Sequence, residues 1–127
     1  MAKFSVKRNP TFTASVSLPV VGGESVAVNF TFKHMNRIEL AEFQNKRIEF
    51  AKSIAELASQ NTSTASDIAK FAIDFEFPQL KSIIEAWDIE EEFNDSNLME
   101  LVESGSEITA AIVNGYIDAY HKAREGN

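Results

Sequence analysis

Hydrophobic and polar positions alternate in two stretches near the start of the chain. Residues 11–18 read TFTASVSL and residues 26–33 read VAVNFTFK, so an apolar side chain occupies every second position, and the positions between are polar except for Ala27. A period of two residues is typical of a strand with one buried face. The intervening PVVGGES contains the Gly22-Gly23 pair, which favours a turn. The pattern predicts a β-hairpin over residues 11–33.

The same alternation predicts the register of this hairpin. It should place four large apolar residues on one face of the sheet: Phe12, Val16, Val28 and Phe32. A hairpin alone is only marginally stable in water, so this face needs a cover.

The pattern changes to a helical period after the hairpin. Asn36 and Glu39 have the spacing of a capping box, and apolar residues then recur at helical intervals to about Gln60. A second helix is indicated around residues 68–75. The alternation within residues 71–77 fits a strand equally well, and both interpretations stay open.

Proline and capping residues divide the remainder of the chain. Pro78 is interpreted as a break, followed by a short helix carrying Leu80, Ile83, Ile84 and Trp87. Asn94 and Ser106 are predicted to cap two further helices that Gly105 separates, with Gly126 ending the last one. The predicted fold class is therefore α+β. We expect a mainly α-helical single domain, residues 1–127, whose N-terminal hairpin (11–33) packs on a helical portion (36–125).

Composition narrows the function classes. The 127 residues include 44% hydrophobic positions, which is enough for a packed domain, and no cysteine, which excludes disulfides and thiolate sites. A formal net charge of −7 makes nucleic acids and anionic membranes poor partners. No apolar run approaches the roughly 20 residues that cross a membrane. A soluble cytoplasmic protein without nucleic-acid or membrane partners is therefore expected.

The acidic stretch WDIEEEFNDSNLMEL, residues 87–101, is the strongest candidate for chemistry. It lacks the D-x-D-x-D-G spacing of a calcium loop, and the two histidines, His34 and His121, lie far away in the sequence. A solvated turn is therefore favoured over a metal site. The chain also lacks the G-x-S-x-G and phosphate-loop motifs. No enzyme activity, metal or cofactor is expected.

Aromatic residues offer a second candidate, a protein-binding surface. Trp87 and Phe93 bracket the acidic stretch, and Tyr116 and Tyr120 recur at helical spacing on the last predicted helix. Such residues are common in cores and at binding hot spots. If the last helix folds back on the acidic turn, the four side chains line one groove. Core packing is favoured over partner contact for each of them, and the four residues are the candidates for protein binding.

The order of features from Trp87 onward has a counterpart in a known family. Trp-Asp, an acidic turn, a leucine-rich helix, a break, and a helix ending in tyrosine and basic residues follow one another through "WDIEEEFNDSNLMELVESGSEITAAIVNGYIDAYHKAREGN". This order, together with the N-terminal hairpin, resembles the tail assembly chaperones of long-tailed bacteriophages. The resemblance implies a protein of the host cytoplasm that binds the tape measure protein, helps recruit tail tube subunits and is absent from the finished virion. It also implies apolar anchors at Trp87, Phe93, Leu98, Leu101, Ile112 and Tyr116.

A further expectation concerns self-association. A chaperone that covers an extended client would act in many copies, and a hairpin at the side of a sheet leaves an edge for pairing, so a homo-oligomer is predicted.

The alternative function is a small acidic inhibitor or DNA mimic, because a net charge of −7 on a compact domain can imitate phosphates. Basic residues interspersed with the acidic ones argue against it: Lys46, Arg47, Lys52 and Lys81.

Overall fold

The computed structural model describes residues 10–124 and shows an α+β fold. The elements in chain order are β1 (Thr11–Leu18), β2 (Val26–Lys33), α1 (Arg37–Ser59), α2 (Ala65–Ile83), β3 (Ile84–Trp87), α3 (Asp95–Ser104) and α4 (Ser106–Arg124). The strands form an antiparallel sheet in the order β1-β2-β3. The predicted fold class and the predicted hairpin are confirmed.

The register of the hairpin also agrees with the prediction. Phe12 pairs with Phe32 and Val16 pairs with Val28, so all four side chains share one face of the sheet. This face is covered by α4, which packs against β1. Helix α4 approaches β1 closely at Gly115, where an added Cβ would lie 2.6 Å from Val16 Cγ2. The opposite face of β1 carries serine and threonine and stays exposed.

Local capping residues define most helix boundaries as the sequence indicates. In the predicted capping box of α1, the Glu39 N–H donates to Asn36 Oδ1 and the Asn36 N–H donates to Glu39 Oε1, both at 2.9 Å. Asn94 caps α3 by accepting a hydrogen bond from the Asn97 N–H. Ser106 is the first residue of α4 rather than the residue before it. The predicted helix end at Gly126 lies outside the described residues.

The segment from residue 71 to residue 87 differs from the prediction. Residues 71–77 are helical, and α2 continues through Pro78 as far as Ile83. The predicted short helix carrying Leu80, Ile83, Ile84 and Trp87 is wrong, because residues 84–87 form strand β3.

Tertiary contacts explain this difference. Leu80 and Ile83 are fully buried. Their packing offsets the loss of the backbone hydrogen bond that a proline removes from a helix interior. Strand β3 pairs with the free side of β2, matching Phe30 with Trp87 and Phe32 with Ile84. This pairing satisfies backbone groups of β2 that a helix over residues 84–87 would leave without partners.

The core lies between the sheet and the helices α2, α3 and α4. Its largest fully buried side chains are Tyr116, Phe30, Phe32, Leu80, Ile83, Ile84, Leu98, Ile112 and Val102. Helix α1 contributes one buried residue, Phe43. Beyond it, no residue from position 44 to position 75 is buried. We call this segment, residues 44–75, the helical arm; it consists of most of α1, the connection, and the first part of α2.

Candidate protein-binding surface

The acidic turn after β3 is organised by hydrogen bonds to β2 and to α3. Asp88 accepts from the backbone N–H of Asn29 at 2.9 Å and from its side-chain amide at 2.8 Å. The backbone carbonyl of Glu92 accepts from the side-chain amide of Asn97 at 2.7 Å. Within residues 10–124, no three histidine, aspartate or glutamate side chains form a group that could hold a metal ion.

Trp87 and Phe93 form one aromatic pair beside this turn. Their rings meet edge to face with centroids 4.9 Å apart, and Trp87 packs in the same manner on Phe30 at 6.4 Å. The indole N–H of Trp87 donates to the backbone carbonyl of Glu91 at 2.8 Å. Both side chains are half-buried, so part of each remains at the surface.

Tyr116 and Tyr120 form a separate pair inside the core. They are 0% and 2% exposed, and their hydroxyl groups donate to the backbone carbonyls of Lys33 and Met35, each at 2.8 Å. Burial, with the nearby Tyr120 and Glu39, raises the pKa of Tyr116 well above its ordinary value. The hydroxyl of Tyr116 therefore stays protonated and acts as a donor that joins α4 to the end of β2.

The four aromatic candidates therefore do not surround one open groove. Each predicted pair comes together, but Tyr116 and Tyr120 are too deeply buried to line a surface. Trp87 and Phe93 are the members that a partner can reach without opening the fold. Binding through these residues stays a prediction.

The helical arm presents apolar surface that the fold does not cover. Its two helices meet through Phe50, which stacks on Phe75 with ring centroids 4.2 Å apart and on Phe71 at 5.8 Å. Phe71 is nevertheless 39% exposed, and Ile48 is 56% exposed. Phe71 continues the stacked rings of Phe50 and Phe75 and so belongs to a contiguous apolar patch, which is typical of a surface that contacts another molecule, whereas Ile48 is an isolated exposed residue.

A cleft opens at the base of the arm. It encloses about 750 Å³ between the N-terminal part of α1, the C-terminal part of α2 and the adjacent end of the sheet. Apolar side chains of α1, of α2 and of the connection after β2 line it, namely Met35, Phe43, Phe75 and Pro78. Charged residues also line it: Lys33, Glu39, Glu42, Lys46 and Glu85. This combination of an apolar lining with charged groups is common in protein-binding grooves.

A smaller cavity of about 230 Å³ lies where α1, α2 and α4 meet. Glu76 lines it together with Arg47 and Thr109. The Glu76 side chain is buried, and this burial raises its pKa, an effect that the neighbouring Thr109 side chain offsets in part.

Comparison with protein families decides between the remaining functional interpretations. The family model described as phage tail assembly chaperone matches residues 1–127, the whole chain. The chain belongs to the phage tail assembly chaperone family. Neither the curated proteins nor the solved structures give a match.

Family membership gives the candidate binding surfaces a context. A phage tail assembly chaperone binds phage tail proteins, and this indicates a role in binding rather than in catalysis. The alternative of an acidic inhibitor or DNA mimic has no comparable support. None of the helices between residues 10 and 124 has the length and apolar content needed to cross a membrane.

One part of this chaperone's surface was missed by the sequence pattern. The apolar residues that recur at helical intervals along α1 include both Ile48 and Phe50, yet Phe50 faces α2 whereas Ile48 is exposed. Residues two positions apart point about 200° apart around a helix, so they cannot share a narrow face. A strict helical projection of α1 would have separated them.

Proposed function

We propose that this chaperone binds the tape measure protein in the host cytoplasm, keeps it soluble, helps recruit tail tube subunits, and is absent from the finished virion. The observation that carries this proposal is the helical arm, whose apolar side chains are not buried within the chain. The proposal takes residues 1–127 as one domain and involves no cofactor, nucleic acid or membrane.

The cleft and the arm together form a continuous apolar path. Phe43 and Phe75 line the cleft, and Phe71 lies one helical turn before Phe75 on the same side of α2. Phe50 stacks on both Phe71 and Phe75, so the apolar lining extends from the cleft along the arm. A path of this kind suits a client helix that lays its apolar face into a groove.

Charged groups at the cleft favour an ordered complex. Glu39, Glu42 and Glu85 are accompanied by Lys33 and Lys46 along its lining. Mixed charges discourage non-specific hydrophobic association, because a wrong partner leaves like charges facing each other. The cleft therefore selects a client helix with a matching charge pattern.

A second contact is proposed at the acidic turn. Trp87 and Phe93 are half-buried and rigidly held, which suits amphipathic aromatic anchors. Tyr116 and Tyr120 support the proposal only indirectly, by fixing α4 against the sheet. An extended client offers many equivalent segments, so we also propose that several copies bind it and contact one another.

The decisive experiment changes Phe71 to alanine and measures retention of the tape measure protein when both are produced together. Phe71 is a contact of the arm, so binding should weaken by about 2 kcal/mol or more. The matched control is Ile48→Ala, which removes an exposed apolar side chain from the opposite face of α1 and should leave retention unchanged. Equal retention by Phe71→Ala and the parent, with both folded, would contradict the assignment of the client to the arm.

A further inference from the structure

Among residues 10–124, strand β1 forms an outer edge of the sheet, and the backbone groups that it leaves unpaired there can be assigned. The His34 N–H donates to the carbonyl of Pro10 at 3.0 Å, and the β1-β2 ladder continues from there without a register shift. In an antiparallel ladder, alternate residues point both backbone groups at the partner strand. The even-numbered residues of β1 therefore bond to β2. The odd-numbered ones direct N–H and C=O away from it: Thr11, Thr13, Ser15 and Ser17.

This edge lacks the usual protection against pairing. Natural edge strands carry a charge, a proline or a bulge, or are very short. Strand β1 is eight residues long and regular, and it contains neither a charged residue nor a proline. The opposite edge, β3, is protected in several ways: it has four residues, a register shift, and the acidic turn immediately after it. The two edges differ in a manner that favours pairing at β1.

The hairpin loop adds an apolar group beyond the end of this edge. Val21 is 99% exposed and Val20 is 46% exposed, and the nearby Gly22 adopts a φ of 71° that holds the turn. No contact within residues 10–124 explains two exposed valines at this tip. A partner aligned along β1 would run directly past them.

We propose that β1 pairs with β1 of a second copy of this chain, antiparallel, with Ser15 opposite Ser15. This inference rests on the self-association contained in the proposed function and names the surface that carries it. The strand that pairs with β1 is proposed to come from a second copy, because two β1 strands can pair with each other without a clash of charges. Neither strand brings a charge that would repel the other, and the alternation of apolar and hydroxyl-bearing side chains is retained on both faces.

The proposed register follows from two requirements. Outward-pointing odd residues must face odd residues to form hydrogen bonds, and the apolar face must remain continuous. With Ser15 at the centre, Thr13 lies opposite Ser17 and Phe12 lies opposite Leu18 of the second copy. Hydroxyl-bearing pairs then occupy the solvent face. Val20 lies opposite Pro10 of the second copy, so pairing partly covers the exposed valines.

Single cysteines test the register directly, because the chain contains none. Cα atoms of a hydrogen-bonded pair are about 5.5 Å apart, within disulfide range, so Ser15→Cys should give a covalent dimer under mild oxidation. Thr13→Cys alone should not form a dimer, because the two residues at position 13, one on each paired strand, lie roughly 13 Å apart. A mixture of Thr13→Cys and Ser17→Cys should cross-link. Asn45→Cys, exposed on α1, reports random collision; cross-linking of all variants to the same extent would overturn the proposal.

A charge at the edge tests the same contact without chemistry. Ser15→Lys places a positive charge on each side of the two-fold axis, and the concentration needed for self-association should rise by about tenfold or more. Ala27→Lys is the matched control, because Ala27 is exposed on the inner strand β2. Both are compared with the parent by sedimentation, with thermal unfolding to confirm folding.

The outcomes separate this inference from the proposed function. If the parent associates and Ser15→Lys associates equally well, pairing through β1 is overturned while self-association stands. If the parent stays monomeric at every concentration, both claims about self-association fail. Retention of the tape measure protein, measured on the same variants, tests client binding independently of either result.

Discussion

Asp88 binds Asn29 through both oxygens of its carboxylate, at 2.9 Å to the backbone N–H and 2.8 Å to the side-chain amide. The backbone N–H of Asp88 returns a hydrogen bond to the carbonyl of Asn29 at 3.1 Å. These contacts join the residue after β3 to the middle of β2. An acidic residue of the stretch considered for metal binding therefore fixes the short edge strand.

Replacing Asp88 with alanine should lower the free energy of unfolding by about 1 kcal/mol, because two charge-assisted hydrogen bonds are lost at a partly solvated site. Urea unfolding followed by circular dichroism measures the change. Glu90→Ala removes a neighbouring exposed carboxylate and should change stability by less than about 0.5 kcal/mol. An equal loss in both variants would show that net charge, rather than the contact with Asn29, is responsible.

The four aromatic candidates should divide into two classes on truncation to alanine. Tyr116→Ala and Tyr120→Ala should each lower the free energy of unfolding by about 3 to 5 kcal/mol, because both side chains are buried. Trp87→Ala and Phe93→Ala should lower it less and weaken retention of the tape measure protein by about 2 kcal/mol or more. Thermal unfolding and co-purification give the two quantities. If stability and retention fall in proportion for all four, none is a binding residue.

Glu76 should make the protein less stable as the pH rises. Burial raises its pKa above the ordinary value of 4.5, so the folded chain holds its proton at a pH where the unfolded chain has lost it. Its contribution is therefore fully present below about pH 4.5 and is lost as the pH rises through the folded pKa. Glu76→Gln should raise the melting temperature at neutral pH.

This gain should shrink when the melting temperatures are compared at acid pH. Glu76 of the parent is then protonated and therefore uncharged, like the glutamine of the variant. Glu56→Gln, an exposed position on the helical arm, is the control and should show no such pH-dependent difference. A gain from Glu76→Gln that is equal at both pH values would point to packing rather than to charge.

Gly115→Ala tests how tightly α4 packs on β1. Alanine favours a helix over glycine by about 1 kcal/mol, but its Cβ would lie 2.6 Å from buried Val16. Overpacking of this kind typically outweighs the gain, so stability should fall by about 1 kcal/mol. In a Val16→Ala background the same change should be neutral or stabilising. A higher melting temperature for Gly115→Ala alone would mean that the helix moves away easily.

The hairpin and the helix caps were predictable because their signals are local. Alternation over residues 11–18 and 26–33 determined the strands and their register, and the spacing of Asn36 and Glu39 marked the start of α1. In each case the residues that carry the signal also make the contact. Distant parts of the chain add stability there without changing the local structure.

Residues 78–87 and the arm could not be predicted in the same way. Leu80, Ile83, Ile84 and Trp87 have helical spacing, but the free side of β2 draws residues 84–87 into the sheet. Exposure of Phe71 has a similar origin, because only the tertiary structure shows that α1 and α2 extend past the core. Burial of Tyr116 and Tyr120 likewise depends on how α4 crosses the hairpin, which periodicity does not specify.

Pro78 lies near the boundary between two parts of α2 that differ in burial. Before it, up to Phe75, no residue of the helix is buried; after it, Leu80 and Ile83 belong to the core. A proline removes the hydrogen bond to the carbonyl four residues earlier, here that of Asp74. Helix α2 therefore lacks a backbone hydrogen bond close to the point where it leaves the core. We expect the amide hydrogens of α2 to exchange faster before Pro78 than after it, because local opening of a helix is easier where few residues are buried.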